Sequence, residues 1–488
     1  MVLLLCSIII IVYVVFYYIN VRKYPPGPLP LPIIGNLYHL NPDSVHEYVH
    51  KIGKDYGHCL TLFLPKPIVF FTHYDTIKEA LVTQGEKFAG RSHLPPETLF
   101  QKTENTGLLI SDGDVWREQR RTSLRIMRDM GMGNNLMEAQ INRCVDEMLY
   151  QLNETNDGVS PFDMNMPIQL CIGNVINETL FGYHFKYSDT AKFDYFKDCL
   201  AKHLQNMKDN FYLYIVQAWP WTKHLPIIGD KGYKEPQANV VQYHQFIEDE
   251  VDAIAKMHDA DHEPTNFVES YLQEMKKNPE LTMEQLYAIA VDFWMAGMET
   301  TSTTIRWGVL YLMKNPDKQE KIRAELLSVV GRDRRLAMSD KPRLPYFVAA
   351  IAEIQRVANM LPFLFFHRCT EATVIGGHPI PKDTLTYPYV YSVLKDDEVF
   401  EEPDQFMPER FLEADEKTFN KKTLERMVAF GLGKRQCVGE SLARIEMFLV
   451  LGTLLLNFRL EPTEPIDLEP VFGQVLNPKP FKCRVAPL

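Results

Sequence analysis

The chain has 488 residues, of which 46% are hydrophobic and 24% are charged, a composition typical of a globular protein with a large core. Its net charge of −11 argues against nucleic acid as a partner, because surfaces that bind nucleic acid are rich in positive charge. The eight cysteines have no framework spacing, which indicates free thiols in a reducing compartment. We find no internal repeat and no low-complexity tract, so the sequence predicts one large domain.

The N-terminal residues 2–21 are almost wholly apolar, and a helix that spans a bilayer needs about 20 such residues. Arg22 and Lys23 follow directly, so the positive-inside rule predicts that the rest of the chain is cytosolic. A cleaved signal peptide is the alternative, but its early basic region and small-residue cleavage site are both missing. We therefore predict an uncleaved transmembrane anchor over residues 1–23.

A proline-rich stretch over residues 24–36 follows the anchor. Alternating prolines resist helix formation and predict a stiff, extended hinge, although a plain linker or an SH3 ligand is the alternative. Two strands are then predicted over residues 58–64 and 67–72, and a helix over residues 75–84. Residues 88–113 contain prolines and glycines without a clear period, which is typical of a long loop.

A basic helix is predicted over residues 114–129. Trp116 and Arg120 are four residues apart and share one face of it. Four further arginines form a second stripe: Arg117, Arg121, Arg125 and Arg128. Such a stripe is either solvated surface or, in an acidic protein, a docking site for an acidic partner.

The next segment, residues 137–275, has the 3.6-residue period of helices. Within it, residues 211–221 are unusually aromatic. Tyrosine and tryptophan favour the membrane interface, so a second bilayer contact and ordinary core packing are both open interpretations.

A long helix is predicted from Thr282, which forms a capping-box pattern with Gln285, to about Lys314. Its middle, residues 296–304, is rich in glycine and hydroxyl residues, which are poor helix formers. This local violation points to a functional site, with a simple kink as the alternative. The pattern further predicts a π-bulge at residues 297–300 that would admit water.

Two charged motifs follow this helix. Glu353 and Arg356 form an E-x-x-R pair that can meet on a helix, although residues 118–121 match the same pattern. Arg410 lies in a Pro-Glu-Arg-Phe run, 27 residues before Cys437 by 437 − 410. His367 ends an apolar run and is more often structural than a ligand.

Residues 430–439 read Phe-Gly-Leu-Gly-Lys-Arg-Gln-Cys-Val-Gly, directly before an apolar helical run. A helix N-terminus stabilises a thiolate at Cys437, and glycines let the backbone lie against a flat group. The ligand set of structural zinc is missing, since there is no C-x-x-C and no nearby histidine. A lone cysteine is commonly a small buried hydrophobe, but one thiolate with an open face fits an axial haem ligand.

This loop resembles the haem-binding loop of the cytochrome P450 family at every fixed position. The other motifs follow in the family's order, from residue 2 to near Phe472, without a departure from the pattern. The resemblance implies a mostly α fold with a minor β-sheet region, in a single large haem-enclosing domain over residues 37–488. It also implies that the N-terminal segments are its anchor and hinge.

The resemblance further assigns the residues that hold haem b. Cys437 is the proximal iron ligand, Phe430 keeps water from the sulfur, and Ala296 lets the flat cofactor approach the long helix. The side chains expected to neutralise the propionates are Trp116, Arg120, His367 and Arg435.

It also assigns residues around the cofactor. Thr300 is expected to hydrogen-bond the activated oxygen and Glu299 to supply protons, while Glu353, Arg356 and Arg410 form a structural network. The expected substrate pocket is apolar and comprises Leu108, Leu109, Phe293, Phe363, Leu364 and Phe472. In the family the loop over residues 88–113 covers this pocket, whereas on sequence alone it is equally an idle surface loop.

The implied function is a monooxygenase of the endoplasmic reticulum membrane that oxidises an apolar xenobiotic, fatty acid or steroid-like molecule. Electrons would come from NADPH through a flavoprotein reductase docked on the arginine stripe, with cytochrome b5 as a further partner. One alternative is a haem-thiolate isomerase or peroxide user, against which the intact Glu299 and Thr300 argue. The other is a non-catalytic haem sensor, which needs neither this pair nor a basic docking face.

Overall fold

A computed structural model of the chain describes residues 1–41, 43–131, 135–259, 261–363, 365–473 and 475–488. Helices dominate it, which confirms the predicted mostly α fold with a small β region. In chain order the helices are α1 Val2–Val21, α2 Val45–Tyr56, α3 Tyr74–Lys78, α4 Gly113–Asp129, α5 Asn135–Thr155, α6 Asn165–Phe181, α7 Ala191–Asp209, α8 Phe211–Ala218, α9 Glu235–Met257, α10 Phe267–Met275, α11 Met283–Lys314, α12 Pro316–Val330, α13 Pro345–Ala358, α14 Val390–Leu394, α15 Lys421–Glu425 and α16 Glu440–Asn457.

Within the described residues, the strands form one four-stranded sheet and three two-stranded ones. They are β1 Cys59–Leu64, β2 Lys66–Phe71, β3 His367–Arg368, β4 Thr373–Ile375, β5 His378–Ile380, β6 Leu385–Pro388, β7 Phe458–Pro462, β8 Pro470–Val471, β9 Asn477–Pro478 and β10 Cys483–Pro487. The larger sheet has the order β1-β2-β6-β3, with β2 and β6 parallel. The two strands predicted near residues 58–72 are confirmed as the antiparallel pair β1 and β2, in which Cys59 lies opposite Phe71.

Helix α11 runs through the main core and packs against α6, α9, α13 and α16. Its bounds confirm the predicted long helix, and at about 1.5 Å per residue it is about 48 Å long. Thr282 caps it by accepting a hydrogen bond from the Gln285 N–H at 3.3 Å. The capping box is only half formed, because the Gln285 side chain binds the backbone of Asn105 and Gly107 instead, at 3.2 and 3.1 Å.

The middle of α11 is regular α-helix, so the predicted π-bulge at residues 297–300 is wrong. The hydroxyls bond within the helix instead. Thr300 Oγ1 donates to the Ala296 carbonyl at 2.6 Å, and Thr304 Oγ1 donates to the Thr300 carbonyl at 2.9 Å. Because these carbonyls already belong to the helix, the threonines are accommodated without opening it.

At the N-terminus, α1 has no buried residue and a mean hydropathy of 2.8, and it is long and apolar enough to cross a membrane. The hinge after it is less free than the sequence indicates, because it lies along β1. Thr61 N–H donates to the Pro26 carbonyl at 2.9 Å, and the Asn36 side chain accepts from the Phe63 N–H at 2.8 Å. These bonds fix where the anchor leaves the folded part of the chain.

The aromatic segment 211–221 forms α8 and the turn that follows it. Leu213 and Val216 pack into the core, whereas Phe211 and Trp221 are 68% and 64% exposed. Core packing is therefore confirmed for one face of this segment, while the bilayer contact stays a prediction for its exposed aromatic face.

Candidate active site

A cavity lies between the middle of α11 and the loop before α16. It is lined mainly by apolar side chains, with a few charged groups among them. Ten residues named from the sequence lie on its wall: Leu108, Leu109, Phe293, Ala296, Glu299, Thr300, His367, Phe430, Arg435 and Cys437. The structure thus brings together residues from four separate stretches of the chain.

Cys437 lies two residues before the N-cap of α16 and faces the cavity. The N–H groups of Gly439 and Glu440 donate to its sulfur, which favours the thiolate, although burial outweighs them and raises the pKa of the thiol. The Cys437 N–H donates to the Phe430 carbonyl at 3.0 Å, so the two residues are held side by side on the cavity wall.

The loop before Cys437 packs closely against the backbone at Leu81. Gly433 has a φ of +74°, and a Cβ there would lie 1.8 Å from the Leu81 carbonyl oxygen. Only glycine fits both the backbone angle and this close approach. The sulfur is therefore positioned by a rigid turn that no larger residue at 433 would permit.

The cavity has a cationic edge formed by Arg91 and Arg435, with His367 beside them. Burial and the charge of Arg91 lower the pKa of His367 well below its usual value, so it contributes a neutral imidazole. Arg435 donates to the carbonyls of Ala89 and Ser111, both at 2.7 Å. Burial, with Arg91 nearby, lowers the pKa of the Arg435 guanidinium to about 7. An anionic group bound at this edge would stabilise the charged form of Arg435, so the edge favours an anionic ligand group.

Trp116 and Arg120 stand behind this edge rather than on the cavity wall. The Trp116 ring lies 3.7 Å from the Arg435 guanidinium carbon, and its own Nε1 is buried without a partner among the described residues. Arg120 donates to the Gln436 carbonyl at 2.6 Å, beside Cys437. The predicted pair therefore supports the cationic edge from helix α4.

Helix α11 supplies the opposite wall, where Glu299 and Thr300 are adjacent. Burial raises the pKa of the Glu299 carboxyl, and the charge of Arg306 opposes that rise. Thr303 and Asn477 hydrogen-bond the Glu299 side chain. A carboxyl with a raised pKa holds a proton nearer neutral pH, which is what a proton donor at this wall requires.

Sequence reasoning missed three charged residues on the cavity wall: Arg91, Asp292 and Glu446. Arg91 donates to the Leu109 carbonyl at 2.7 Å, and Asp292 accepts from the N–H groups of Leu108 and Leu109 at 2.6 and 3.1 Å. Burial raises the pKa of Asp292 to about 7 and that of Glu446 well above its usual value. For Asp292 and Glu446, the sequence does carry a signal of a functional position, because each is a charged residue within an apolar helical run.

Two of the predicted pocket residues are not on the cavity wall. Phe363 packs against Tyr389 at 5.3 Å between ring centroids, and Phe472 stacks on His46 at 5.0 Å. Both belong to the separate apolar cluster beside the larger sheet, so their assignment to the pocket is corrected. Leu364 lies outside the described residues.

The predicted Glu-Arg-Arg network is assembled behind the site. Arg356 donates to both oxygens of Glu353, at 2.7 and 2.8 Å, and neither side chain is accessible to solvent. Arg410 donates to Glu353 at 3.1 Å. The matching motif at residues 118–121 forms an ion pair between Glu118 and Arg121, whose side chain is 77% exposed.

The arginine stripe on α4 is less positive than the sequence indicates. Arg117 pairs with Asp114 and with Glu86, and the other pairs are Arg121 with Glu118 and Arg125 with Glu274. Arg128 is exposed and forms no ion pair with the part of the chain that the structure describes. Three of the four charges are therefore partly neutralised before any partner arrives.

One thiol at the end of an apolar cavity, with a threonine-rich helix opposite and arginines at the edge, defines a haem-thiolate class of site. The family model for cytochrome P450 matches residues 25–485. The chain belongs to the cytochrome P450 family, and it is an enzyme of the monooxygenase class.

Relatives of similar length support this assignment. Cytochrome P450 2H2 of Gallus gallus is 34% identical over 482 residues, which cover 95% of this chain and 94% of that protein. Cytochrome P450 2C70 of Rattus norvegicus is 35% identical over 477 residues, which cover 96% and 95%. Cytochrome P450 2E1 of Mus musculus is 35% identical over 481 residues, which cover 95% and 93%.

Family membership implies a haem cofactor, and the residues present fit one. Trp116 Nε1, which has no partner among the described residues, and the buried guanidinium of Arg435 would hold the anionic edge of the porphyrin. The mainly apolar walls would cover its flat faces, and the Cys437 sulfur would ligate the iron.

Proposed function

We propose that this enzyme inserts one oxygen atom of O2 into an apolar small molecule, of the xenobiotic, fatty acid or steroid-like kind, while the other oxygen leaves as water. The observation that carries this proposal is the shared cavity, in which the Cys437 sulfur and the Glu299–Thr300 wall face one apolar space. A protein that binds haem without catalysis would need the Cys437 sulfur but not the Glu299–Thr300 wall.

Haem bound to Cys437 supplies the oxygen-activating chemistry, and the side chains around it have distinct tasks. Arg435 and His367, with Trp116 and Arg120 behind them, bind and orient the anionic edge of the cofactor. Phe430 excludes water from the sulfur. Glu299 holds a proton at its carboxyl, and the Thr300 hydroxyl, anchored on the Ala296 carbonyl, presents its oxygen to the cavity.

The cavity walls would select substrates by excluding charged molecules rather than by specific polar contacts. Leu108, Leu109 and Phe293 are apolar. One carboxyl oxygen of Asp292 already accepts hydrogen bonds from two backbone N–H groups. Few polar groups remain free to bind a charged substrate, so burial of apolar surface supplies most of the affinity.

The test is turnover of the purified protein with a flavoprotein reductase, NADPH and isotope-labelled O2, using a panel of apolar compounds. We expect a product that carries one labelled oxygen atom. Product formed only with peroxide would favour the peroxide-user alternative. Haem binding without product under either condition, across fatty acids, steroids and aromatic hydrocarbons, would favour the sensor.

Electron supply is the second part of the proposal, since family members generally use a redox partner. The reductase would dock on the exposed side of α4 through Arg117, Arg121, Arg125 and Arg128, and cytochrome b5 would be a further partner. The partly paired arginines support a weak, salt-sensitive encounter rather than a tight complex.

The third part concerns location. We propose that residues 1–23 anchor the protein in the endoplasmic reticulum membrane, that residues 24–36 form the hinge, and that residues 37–488 form a cytosolic catalytic domain. The apolar α1 followed by Arg22 and Lys23 supports this orientation. Protease treatment of sealed microsomes should remove the catalytic domain, whereas full protection would contradict a cytosolic orientation.

A further inference from the structure

A second cluster of metal-ligating side chains lies where α5 meets α6, off the cavity wall. Cys144 on α5, Glu178 on α6 and His184 just after α6 each offer one donor atom, and the three atoms lie within 4.8 Å of one another. Cys144 Sγ is 3.8 Å from His184 Nε2, and a Glu178 oxygen contacts the same nitrogen. None of the three belongs to the haem site described above.

The spacing of these atoms is close to that of a tetrahedral zinc site. Bond lengths of about 2.3 Å to sulfur and about 2.0–2.1 Å to nitrogen or oxygen place neighbouring donor atoms about 3.3–3.6 Å apart. The measured sulfur–nitrogen distance of 3.8 Å is near this range. Glu178 has to move outward from its direct contact, and its side chain is 20% exposed and faces solvent on one side.

Supporting groups orient the donors in the manner of a metal site. Glu147, one turn after Cys144, binds His184 Nδ1 at 3.1 Å, which leaves Nε2 directed at the cysteine and Glu178. A carboxylate behind a ligating histidine is the usual second layer of such sites. Arg143 binds the other oxygen of Glu178.

The charges also balance around a divalent ion. A Cys144 thiolate and the Glu178 carboxylate contribute two negative charges, while Arg143 and Glu147 cancel one another. Cys144 is buried, so a metal there would be held against the core, whereas Glu178 and His184 are partly exposed and give an entry path.

We propose that Cys144, Glu178 and His184 bind one divalent transition-metal ion of the zinc type, with water at the fourth position. Binding releases to solvent the thiol proton and the proton that His184 Nε2 shares with Glu178. The ion would link α5 to α6, whose residues Ile176, Thr179 and Leu180 line the active-site cavity. The competing explanation is a hydrogen-bonded ion network that holds the two helices together without a metal.

The test uses the full-length, haem-containing protein, treated with a chelator and then given one equivalent of zinc. Metal analysis should find one zinc per chain, and X-ray absorption at the zinc edge avoids interference from the haem iron. We expect one sulfur at about 2.3 Å and nitrogen or oxygen atoms at about 2.0–2.1 Å. Less than one equivalent of bound zinc, or a shell without sulfur, would overturn the proposal.

Variants separate ligands from supports, with affinity measured by equilibrium dialysis. Cys144→Ala and Glu178→Gln should each lose stoichiometric zinc, whereas Glu147→Gln should weaken binding about 10–100-fold and keep the sulfur shell. Cys369→Ala removes another buried cysteine and is the matched control that should bind normally. Glu178 is partly exposed, so Glu178→Gln remains a usable test even if Cys144→Ala does not fold. Zinc binding by Glu178→Gln that equals that of the wild type would refute the assignment.

Discussion

The buried Glu353–Arg356 pair offers a sharp test, because the chain carries the same motif on its surface. Arg356 donates to the Glu353 carboxylate and to the carbonyls of Leu394, Pro403 and Gln405, at 2.7–3.1 Å. Arg356→Met would therefore leave Glu353 without its main counter-charge and remove a donor from three carbonyls, of which Gln405 keeps a second donor in Arg410 at 3.3 Å. Removing one partner of a buried pair costs about 3–5 kcal/mol.

The matched control is Arg121→Met, which breaks the pair with Glu118 while the Arg121 side chain is 77% exposed. Exposed pairs contribute about 0–1 kcal/mol. With an unfolding entropy of about 2.1 cal/mol/K per residue, the chain of 488 residues loses about 1 °C in Tm for each kcal/mol. We expect Arg356→Met to lower Tm by about 3–5 °C and Arg121→Met by less than about 1 °C, on these energies.

The assay is thermal unfolding of both haem-loaded variants at one scan rate, since large proteins commonly unfold irreversibly. The fraction of chains that retain haem is measured in parallel. Equal Tm values for the two variants would refute the claim that burial, and not the E-x-x-R pattern, makes this network stabilising.

Three further predictions address the cavity and the partner surface. Thr300→Ala should bind haem normally but divert electrons to hydrogen peroxide, with product formation slowed about 10²–10⁴-fold; an unchanged product yield per NADPH would contradict the proposed proton role. Arg121→Glu with Arg128→Glu should raise the half-saturating reductase concentration severalfold, an effect that fades above roughly 0.1 M salt as the Debye length falls below about 10 Å. Peroxide-driven turnover should not change, and equal loss in both assays would refute docking. Burial raises the pKa of Asp292 from 3.8 to about 7, so the folded state favours the protonated carboxyl. The resulting stabilisation is lost as pH rises from about 4 through about 7, by at most about 1.4 kcal/mol per pH unit. Asp292→Asn should flatten the fall in Tm over this range, and identical Tm–pH curves for both proteins would contradict the assignment.

The sequence predicts those parts of the site that depend on residues close together along the chain. Cys437 stands in a dense motif, and the bounds of α11 follow from a cap and a long apolar period. The E-x-x-R pair follows from helix spacing, although only the structure distinguishes the buried copy from the exposed one. In each case the relevant neighbours are within a few turns along the chain.

The remainder depends on contacts between distant segments. Arg91 reaches the cavity edge because its guanidinium binds the carbonyl of Phe366, which lies 275 positions away. Asp292 matters because the loop at Leu108 returns to α11. Phe472 looks like a pocket residue by composition, yet the fold stacks it on His46. No periodicity or motif encodes these pairings.

The central claim is that the Cys437 thiolate ligates haem in an oxygen-activating site. The most direct measurement is the CO-difference spectrum of the reduced protein, for the wild type and for Cys437→Ser, with haem content measured separately. We expect the red-shifted Soret band of a thiolate ligand in the wild type and its loss in the variant. A wild type that binds haem without this band, or a Cys437→Ser variant that keeps it, would contradict thiolate ligation by Cys437.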